Sequence, residues 1–133
     1  MTPSPLIYTH IFGSGHCLFV KFIQSGVTVL MTYKSPKYPL SDFSEKFAEQ
    51  LKNSRGKLLV FGDVNIDLKA PEGKPILKLF EWRNLDAMVD IQHPSTDYGT
   101  HIDCCFSNVP NAMAWFYESY YSYHKAICIV WPK

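Results

Sequence analysis

Strand-like patterns dominate the first half of this chain of 133 residues. The segments Cys17–Ile23 and Val27–Tyr33 are rich in β-branched and aromatic residues, and the turn residues Gln24-Ser25-Gly26 between them predict an antiparallel hairpin. The run Leu58–Phe61 is apolar throughout and ends at a glycine, which is typical of an interior strand. These patterns predict a sheet that contains a buried central strand.

Two segments have the periodicity of an amphipathic helix. An apolar stripe with a spacing of four residues runs along Phe43–Asn53, and Ser41 or Asp42 is the expected N-cap. Pro75 can open a second helix that continues to Trp82, because proline suits the first helical turn. Helices that alternate with strands predict α/β layering.

The remaining predicted elements complete one domain. Asn84–Asp90 is a short element, and Ile102–Phe106 and Ala126–Trp131 have the composition of closing strands. We expect a single α/β domain over residues 1–133, with a loose start at residues 1–10.

Composition supports a folded unit and limits its partners. A hydrophobic fraction of 47% with 15% aromatic residues argues against disorder. The formal net charge of +1 excludes a strongly basic protein that binds polyanions over its whole surface. Local basic patches remain compatible with this charge.

The four cysteines lie in apolar, strand-like runs and lack the spacing of a zinc site. We expect buried, reduced thiols, which favour an intracellular compartment, nuclear or cytoplasmic. No apolar run of about eighteen residues and no secretory leader is present in the sequence, so no membrane span is expected. The cysteines are Cys17, Cys104, Cys105 and Cys128.

The end of the Leu58–Phe61 strand carries the first candidate site residues. Asp63 and Asn65 lie two apart, so on an extended segment their side chains point the same way. A carboxylate beside a carboxamide can hold a water molecule, a divalent cation or a phosphate oxygen. The alternative is a strand-to-loop turn in which these side chains bond local backbone groups.

A second carboxylate and a histidine occur later in the chain. Asp103 is flanked by Ile102 and Cys104, so its carboxylate is expected to be partly buried and to need a partner. His124 lies just before the last predicted strand. Both residues therefore join Asp63 as candidates for one site.

Three short motifs together resemble those of the endonuclease/exonuclease/phosphatase superfamily. They are Gly62-Asp63-Val64-Asn65, Ile102-Asp103 and Ser122-Tyr123-His124, where the family has Gly-Asp-Phe-Asn, a late-strand Asp and Ser-Asp-His. Tyr33-Lys34-Ser35-Pro36 also resembles the family's Tyr-x-x-Pro. The superfamily includes DNase-I-like nucleases, apurinic endonucleases, inositol phosphatases and LINE-type retrotransposon endonucleases, and the motifs here look most like those of mobile-element nucleases.

The resemblance extends over residues 16–131 and implies the C-terminal half of the family's domain. That half belongs to a four-layer α/β sandwich and has a mixed, mostly antiparallel sheet with flanking helices. The family's first half supplies an Asn and a metal-binding Glu, and no acidic residue precedes Asp42 here. We therefore expect a truncated unit, or one completed by another copy of the chain or by a complementing polypeptide.

The resemblance also implies residue roles in phosphodiester hydrolysis with Mg²⁺ or Mn²⁺. Asp63 would activate the attacking water and contribute to the metal site, and Asn65 would bind a phosphate oxygen. Asp103 would orient His124, which would stabilise charge on the phosphoryl group. Tyr33 would bind the substrate phosphate. The alternatives are a core hydrogen bond for Asp103 with His124 and a core packing role for Tyr33.

Tyr123 is the main departure from the family pattern. A phenol, which ionises at about pH 10, cannot replace the family's metal-binding carboxylate at neutral pH. With the early Glu also absent, metal binding is expected to be weak and incomplete, centred on Asp63. Two hypotheses remain: a metal-dependent hydrolase of DNA or another phosphodiester, and a non-catalytic nucleic-acid-binding or interaction module derived from such a nuclease.

An aromatic segment precedes the last strand. Its rings can pack beneath a sheet edge or stack on unpaired bases, and packing is the favoured interpretation. The segment comprises Trp115, Phe116, Tyr117, Tyr120 and Tyr121.

Overall fold

The computed structural model describes residues 7–13, 16–119 and 122–132, with side chains from residue 16 onward. The described part contains eight strands, two α-helices and one short 3-10 helix. The elements are β1 (Ile7–Gly13), β2 (Cys17–Gln24), β3 (Val27–Lys34), α1 (Leu40–Lys52), β4 (Leu58–Asp63), a 3-10 helix (Pro71–Gly73), α2 (Lys74–Trp82), β5 (Asp86–Ala87), β6 (Asp103–Ser107), β7 (Met113–Tyr117) and β8 (Ala126–Val130).

The loose start expected at residues 1–10 is corrected in part. Residues 7–10 belong to β1, which pairs antiparallel with β2 and so gains backbone hydrogen bonds that a loose segment lacks. Residues 1–6 lie outside the described part of the chain.

Six strands form one mixed sheet in the order β1-β2-β3-β4-β6-β5. The β3–β4 pair is parallel, and the other neighbours are antiparallel. Strands β7 and β8 form a separate antiparallel pair. The prediction of an α/β fold with a mixed, mostly antiparallel sheet and flanking helices is confirmed.

The predicted hairpin between β2 and β3 is present. Gln24 pairs with Val27, which leaves a loop of two residues, Ser25 and Gly26. Their φ angles are 52° and 76°, so both have left-handed backbone, as a type I′ turn requires. This turn matches the twist of the strands and fixes the register of the whole β2–β3 pair.

The two helices cover one face of the sheet through a continuous chain of aromatic contacts. Phe19 on β2 stacks on Phe43 of α1, with ring centroids 5.6 Å apart. Phe47 meets Phe80 of α2 at 5.4 Å, and Phe80 stacks on Phe106 of β6 at 3.8 Å. Large buried rings of this kind contribute much of the apolar area of a small core. Neither helix, within the described residues, is long and apolar enough to cross a bilayer.

The start of α1 differs from the prediction that Ser41 or Asp42 caps it. The helix begins at Leu40, Pro39 occupies the N-cap position, and no side chain caps the first turn. The backbone N–H of Phe43 donates to the carbonyl of Pro39 at 3.0 Å. Ser41 and Asp42 therefore lie inside the first turn, because the chain enters the helix directly after the proline.

Strand β8 and the residue that follows it by one position pack on the opposite face of the sheet. Val27, Val29 and Leu59 are buried there, and Ile129 and Trp131 pack against them. Because side chains alternate between the two faces of a strand, Tyr33 lies on the same face as Val29. This face carries the candidate site at the far end of the strands.

Gly62 is required for close approach of the β4 backbone to β3. Its φ is 150°, and a Cβ atom added there would lie 1.8 Å from the carbonyl oxygen of Thr32. The backbones of β3 and β4, the parallel pair, cannot move apart without breaking the hydrogen bonds between these strands. Glycine at this position therefore allows Asp63 to follow directly in the strand.

Burial also disfavours the reactive thiolate form of three of the four cysteines. All four cysteines are free, and three of them, Cys17, Cys104 and Cys105, are buried. Burial raises the pKa of Cys105 to about 12 and raises the pKa of Cys104 well above its ordinary value. Burial also raises the pKa of Cys17, against the lowering influence of nearby lysines. Cys128 is only partly buried.

We predict that Gly62→Ala destabilises the protein by about 3 kcal/mol or more, since it adds a clash to backbone strain. Gly56→Ala is the matched control, because Gly56 has a φ of 73° with nothing within 4 Å of an added Cβ. The control should lose about 1–2 kcal/mol, the cost of left-handed backbone alone. Denaturant unfolding measures both, and equal losses would contradict the close approach.

We predict that a thiol reagent at about pH 8 modifies one cysteine rapidly in the native protein, because the thiolate is the reactive form. Cys128→Ser should remove this fast phase. The three buried thiols should react only after unfolding in guanidinium chloride. Rapid modification of two or more thiols in the native protein would show that the core is open.

Candidate functional site

The sheet register places three candidate residues in one row at the ends of neighbouring strands. Tyr33 on β3 pairs with Asp63 on β4, and Asp63 pairs with Asp103 on β6. Side chains of directly paired residues project from the same face, with Cβ atoms about 4.5–5.5 Å apart in antiparallel pairs. The two carboxylates are therefore neighbours, and Tyr33 lies beside them with 38% of its surface exposed.

His124 joins the two carboxylates. Its Nδ1 lies 2.8 Å from Oδ2 of Asp103, which is hydrogen-bond distance. Its Nε2 lies 3.6 Å from Oδ2 of Asp63. The sequence-based pairing of Asp103 with His124 is confirmed as a contact, and the cluster is partly buried, with exposed side-chain fractions of 23% for His124 and 13% for Asp103.

Backbone contacts fix the segment that carries His124. His124 forms an isolated antiparallel bridge with Thr96. The N–H of Lys125 donates to the carbonyl of Ser95 at 2.8 Å. The histidine is therefore held between β6 and the loop at residues 95–100, although it precedes β8 in the chain.

Ser95 holds Asp103, the residue that accepts the hydrogen bond from Nδ1 of His124. Ser95 was not identified from the sequence. Its hydroxyl accepts hydrogen bonds from the backbone N–H of Ile102 at 2.9 Å and of Asp103 at 3.2 Å. Ser95 is fully buried. No local sequence signal identifies such a residue, because its partners lie seven and eight positions away.

Asn65 is oriented differently from the sequence-based expectation. Its φ is 50°, so the chain leaves the extended conformation after Asp63 and the two side chains do not project in parallel. The backbone N–H of Asn65 donates to Oδ1 of Asp63 at 2.9 Å, and its Nδ2 donates to the carbonyl of Lys34 at 2.6 Å. The segment forms the turn that the sequence left open as an alternative, and this turn fixes the Asp63 carboxylate.

Asp67 anchors the rest of this loop and was also missed. Its Oδ1 accepts hydrogen bonds from the backbone N–H groups of Lys69 and His101, both at 3.1 Å. The N–H of Leu68 donates to the carbonyl of His101 at 2.8 Å. The loop after β4 is therefore hydrogen-bonded to the segment that leads into β6 and Asp103. The spacing of Asp63, Asn65 and Asp67 was the only sequence signal for this role of Asp67.

The electrostatic environment keeps Asp63 less acidic than a free aspartate. Burial raises its pKa most, and neighbouring Asp103 raises it further. The backbone N–H of Asn65, His124 and Lys34 act in the opposite direction but do not reverse the shift.

Lys34 is a buried cation near the site. Its side chain is 1% exposed, and its Nζ donates to the carbonyl of Ser35 at 2.9 Å. Burial lowers the pKa of Lys34, while the Asp63 and Cys17 groups raise it. An ammonium with this degree of burial lies close enough to Asp63 to influence its titration.

The cluster offers an incomplete set of metal ligands. Potential ligand atoms of Asp63, Asp103 and His124 lie within 4.8 Å of one another. Hard cations prefer oxygen ligands, and one Asp103 oxygen is already bonded to His124. Mg²⁺ commonly binds proteins through one or two carboxylates, with water and substrate oxygens completing its shell. The residues fit a cation held in this way at Asp63.

Tyr123 presents a ring to His124. The two ring centroids are 4.3 Å apart, and 45% of the Tyr123 surface is exposed. Of the aromatic segment, residues 115–117 belong to β7, where Phe116 meets the ring of His101. Tyr120 and Tyr121 lie outside the described residues.

We predict a coupling free energy of about 1–2 kcal/mol between Asp103 and His124, because their hydrogen bond is partly buried. It is measured from the unfolding free energies of Asp103→Ala, His124→Ala and the double variant. Lys125 and Glu118 form the matched control, since their atoms are 3.9 Å apart and Glu118 is 72% exposed. That pair should couple by about 0.5 kcal/mol or less, and similar values for both pairs would contradict the geometry.

Comparisons with known proteins bear on the fold. No protein-family model and no curated protein sequence matches the chain. The endonuclease domain of TRAS1, a telomere-specific non-LTR retrotransposon, superposes with a TM-score of 0.73 at 14% identity over 95% of this chain. An endonuclease/exonuclease/phosphatase family protein from Leptotrichia buccalis gives a TM-score of 0.58 at 11% identity over 99% of this chain.

The chain spans 66% of the TRAS1 domain and 61% of the Leptotrichia protein. This agrees with the expectation of a partial α/β sandwich. The identities are low, so the likeness concerns the fold. The chain therefore has the DNase-I-like fold found in endonuclease/exonuclease/phosphatase proteins.

Proposed function

We propose that this protein is a metal-dependent phosphodiester hydrolase of the endonuclease type. The observation that carries the proposal is the position of His124, which bonds Asp103 at 2.8 Å and faces Asp63 at 3.6 Å. A carboxylate, an imidazole and a second carboxylate at the strand ends of a nuclease-like fold supply a base and a donor for a phosphate group.

Asp63 acts as the base. One carboxylate oxygen is fixed by the N–H of Asn65, which leaves Oδ2 on the side that faces His124. Oδ2 is therefore the oxygen that can accept a proton from a neighbouring water molecule. A water molecule beside Oδ2 gives its proton to Asp63 as its oxygen bonds to phosphorus. The bond to the leaving oxygen breaks in line, and that oxygen takes a proton from solvent.

His124 acts on the phosphoryl oxygens. Asp103 accepts the Nδ1 hydrogen, which fixes the orientation of the ring. A ring that is protonated at both nitrogens can then donate from Nε2 to a non-bridging oxygen. Donors that are positioned before the reaction stabilise the charge that develops in the transition state. Asp103 is accordingly a positioning residue.

Tyr33 and Asn65 hold the substrate phosphate. The phenol of Tyr33 is in the same row as Asp63 and partly exposed, so it can donate to a phosphate oxygen. Asn65 uses one amide hydrogen on the carbonyl of Lys34, and its second hydrogen remains for phosphate. A divalent cation, Mg²⁺ or Mn²⁺, would be held by Asp63 and would neutralise phosphoryl charge.

DNA is the proposed substrate. The TRAS1 domain, which covers nearly the whole chain in superposition, is described as an endonuclease of a retrotransposon. The formal net charge of +1 gives little long-range attraction to a polyanion, so binding must come from local contacts at the site.

A nucleic-acid-binding module without turnover is the second candidate. Two observations favour it: Tyr123 has no carboxylate to offer a metal ion, and one amide hydrogen of Asn65 is already donated to the carbonyl of Lys34. Such a module would keep the phosphate-binding groups and lose the metal-assisted step.

Plasmid nicking tests the hydrolase proposal. With Mg²⁺ or Mn²⁺ the protein should nick supercoiled DNA, and Asp63→Ala or His124→Ala should each reduce the rate by about 10²–10⁴-fold, the usual contribution of one acid–base group. The double variant should be little slower than either single variant, because the two groups act together. A chelator should abolish nicking.

Asp86→Ala is the control for this assay. Asp86 is an exposed carboxylate on β5 and pairs with Ser107, at the opposite end of β6 from Asp103. It should nick at the wild-type rate. Equal rates for all variants would contradict the proposed site, and absent nicking with retained DNA binding would favour the second candidate.

A further inference from the structure

Two exposed tyrosine rings lie beside the candidate catalytic histidine. Tyr98 and Tyr123 have ring centroids 5.3 Å apart with planes tilted by 56°. Tyr98 is 78% exposed and Tyr123 is 45% exposed. Tyr123 also contacts the His124 ring, so the pair forms an aromatic surface that continues from the imidazole into solvent.

The loop that carries Tyr98 is held in place by several hydrogen bonds. The N–H of Tyr98 donates to Oγ1 of Thr96 at 3.2 Å, and this hydroxyl also bonds the Thr100 hydroxyl at 2.7 Å. The N–H of Gly99 donates to the carbonyl of Thr96 at 3.3 Å, and Nζ of Lys69 donates to the carbonyl of Gly99. A braced loop presents its exposed ring with little further loss of entropy on binding.

The two rings are also held relative to the catalytic cluster. The N–H of Asp97 donates to the carbonyl of Tyr123 at 2.8 Å. On either side of this bond, Thr96 bridges His124, and Ser95 accepts from the N–H of Lys125. The distance from the aromatic surface to the imidazole is therefore set by backbone hydrogen bonds.

We propose that the exposed ring of Tyr98, supported at an angle by the ring of Tyr123, is a stacking platform for an unpaired nucleobase next to the reacting phosphate. The proposal rests on the proposed function, which places that phosphate at His124 and Asp63. A nucleobase offers a flat π-face at a fixed distance from its phosphate, and tyrosine rings bind such faces by stacking. A base inside a duplex has both faces covered by its neighbours, so the platform selects single-stranded or unpaired positions.

The platform also gives Tyr123 a function. The family pattern has a metal-binding aspartate at this position, and here a ring packs against His124 instead. A base stacked on Tyr98, with Tyr123 between it and His124, would place its own phosphate near the imidazole through contacts that do not need that aspartate. The specificity of the site would then come from base stacking, with less dependence on metal ligands.

Binding of two matched strands tests the platform. One is a short oligothymidine, and the other has the same number of phosphates but abasic sugars. Fluorescence anisotropy in a chelator measures affinity without cleavage. The wild-type protein should bind oligothymidine about five- to tenfold more tightly, since stacking contributes at least about that factor per base. Tyr98→Ala should bring this ratio close to one.

Two variants serve as controls. Tyr98→Phe keeps the ring and should keep the ratio. Trp82→Ala removes an aromatic side chain that is 58% exposed at the end of α2. Trp82 is far from Asp63, because its neighbour Arg83 donates to the carbonyls of Ser54 and Gly56, which precede the opposite end of β4. It should also keep the wild-type ratio. Oligouridine should bind as tightly as oligothymidine, because the platform contacts the flat face of the base.

The outcomes separate the platform from the hydrolase. Equal binding of thymidine and abasic strands by the wild type, or an unchanged ratio in Tyr98→Ala, would overturn the platform even if plasmid nicking is found. A ratio that depends on the Tyr98 ring would support the platform even if no nicking is found, and only the hydrolase proposal would then fail.

Discussion

The direct pairing of Asp63 with Asp103 across β4 and β6 is the constraint on which the rest of the site depends. This register brings two carboxylates together at the ends of buried strands, where like charges repel and burial disfavours ionisation. His124 relieves the conflict by bonding one carboxylate and facing the other. The same register sets Tyr33 beside Asp63, so one row of strand partners defines the polar surface that a phosphate would meet.

Long-range backbone contacts keep this arrangement rigid. The turn after β4 fixes Asp63 through the N–H of Asn65, and Asp67 fastens the loop to the segment that leads into β6. The loop at residues 95–100 holds the histidine segment from the other side. Gly62 permits this geometry, because any side chain there would collide with the backbone of Thr32. The segments of the site are therefore held by hydrogen bonds that join backbone N–H groups to the side chains of Asp63, Asp67 and Ser95.

The sequence predicted the elements whose signals are local. The β2–β3 hairpin, the buried β4 strand and the apolar stripe of α1 follow from periodicity and turn residues. The Asp103–His124 contact came from a family resemblance, since their separation of 21 residues gives no local signal. The helix start at Leu40, the left-handed turn at Asn65, the buried hydroxyl of Ser95 and the exposed ring of Tyr98 were not predicted, because each depends on contacts with distant segments or on a choice between two acceptable local conformations.

The imidazole of His124 is held between Asp103 and Asp63, and the proposed chemistry depends on this position. Proton NMR of ¹⁵N-histidine-labelled protein at low temperature tests it most directly, because a hydrogen-bonded Nδ1–H exchanges slowly and resonates far downfield. We expect a downfield resonance, assigned to Nδ1–H of His124, that is absent in Asp103→Ala and retained in Asp97→Ala. An Nδ1 that carries no hydrogen, or a resonance that persists in Asp103→Ala, would contradict it.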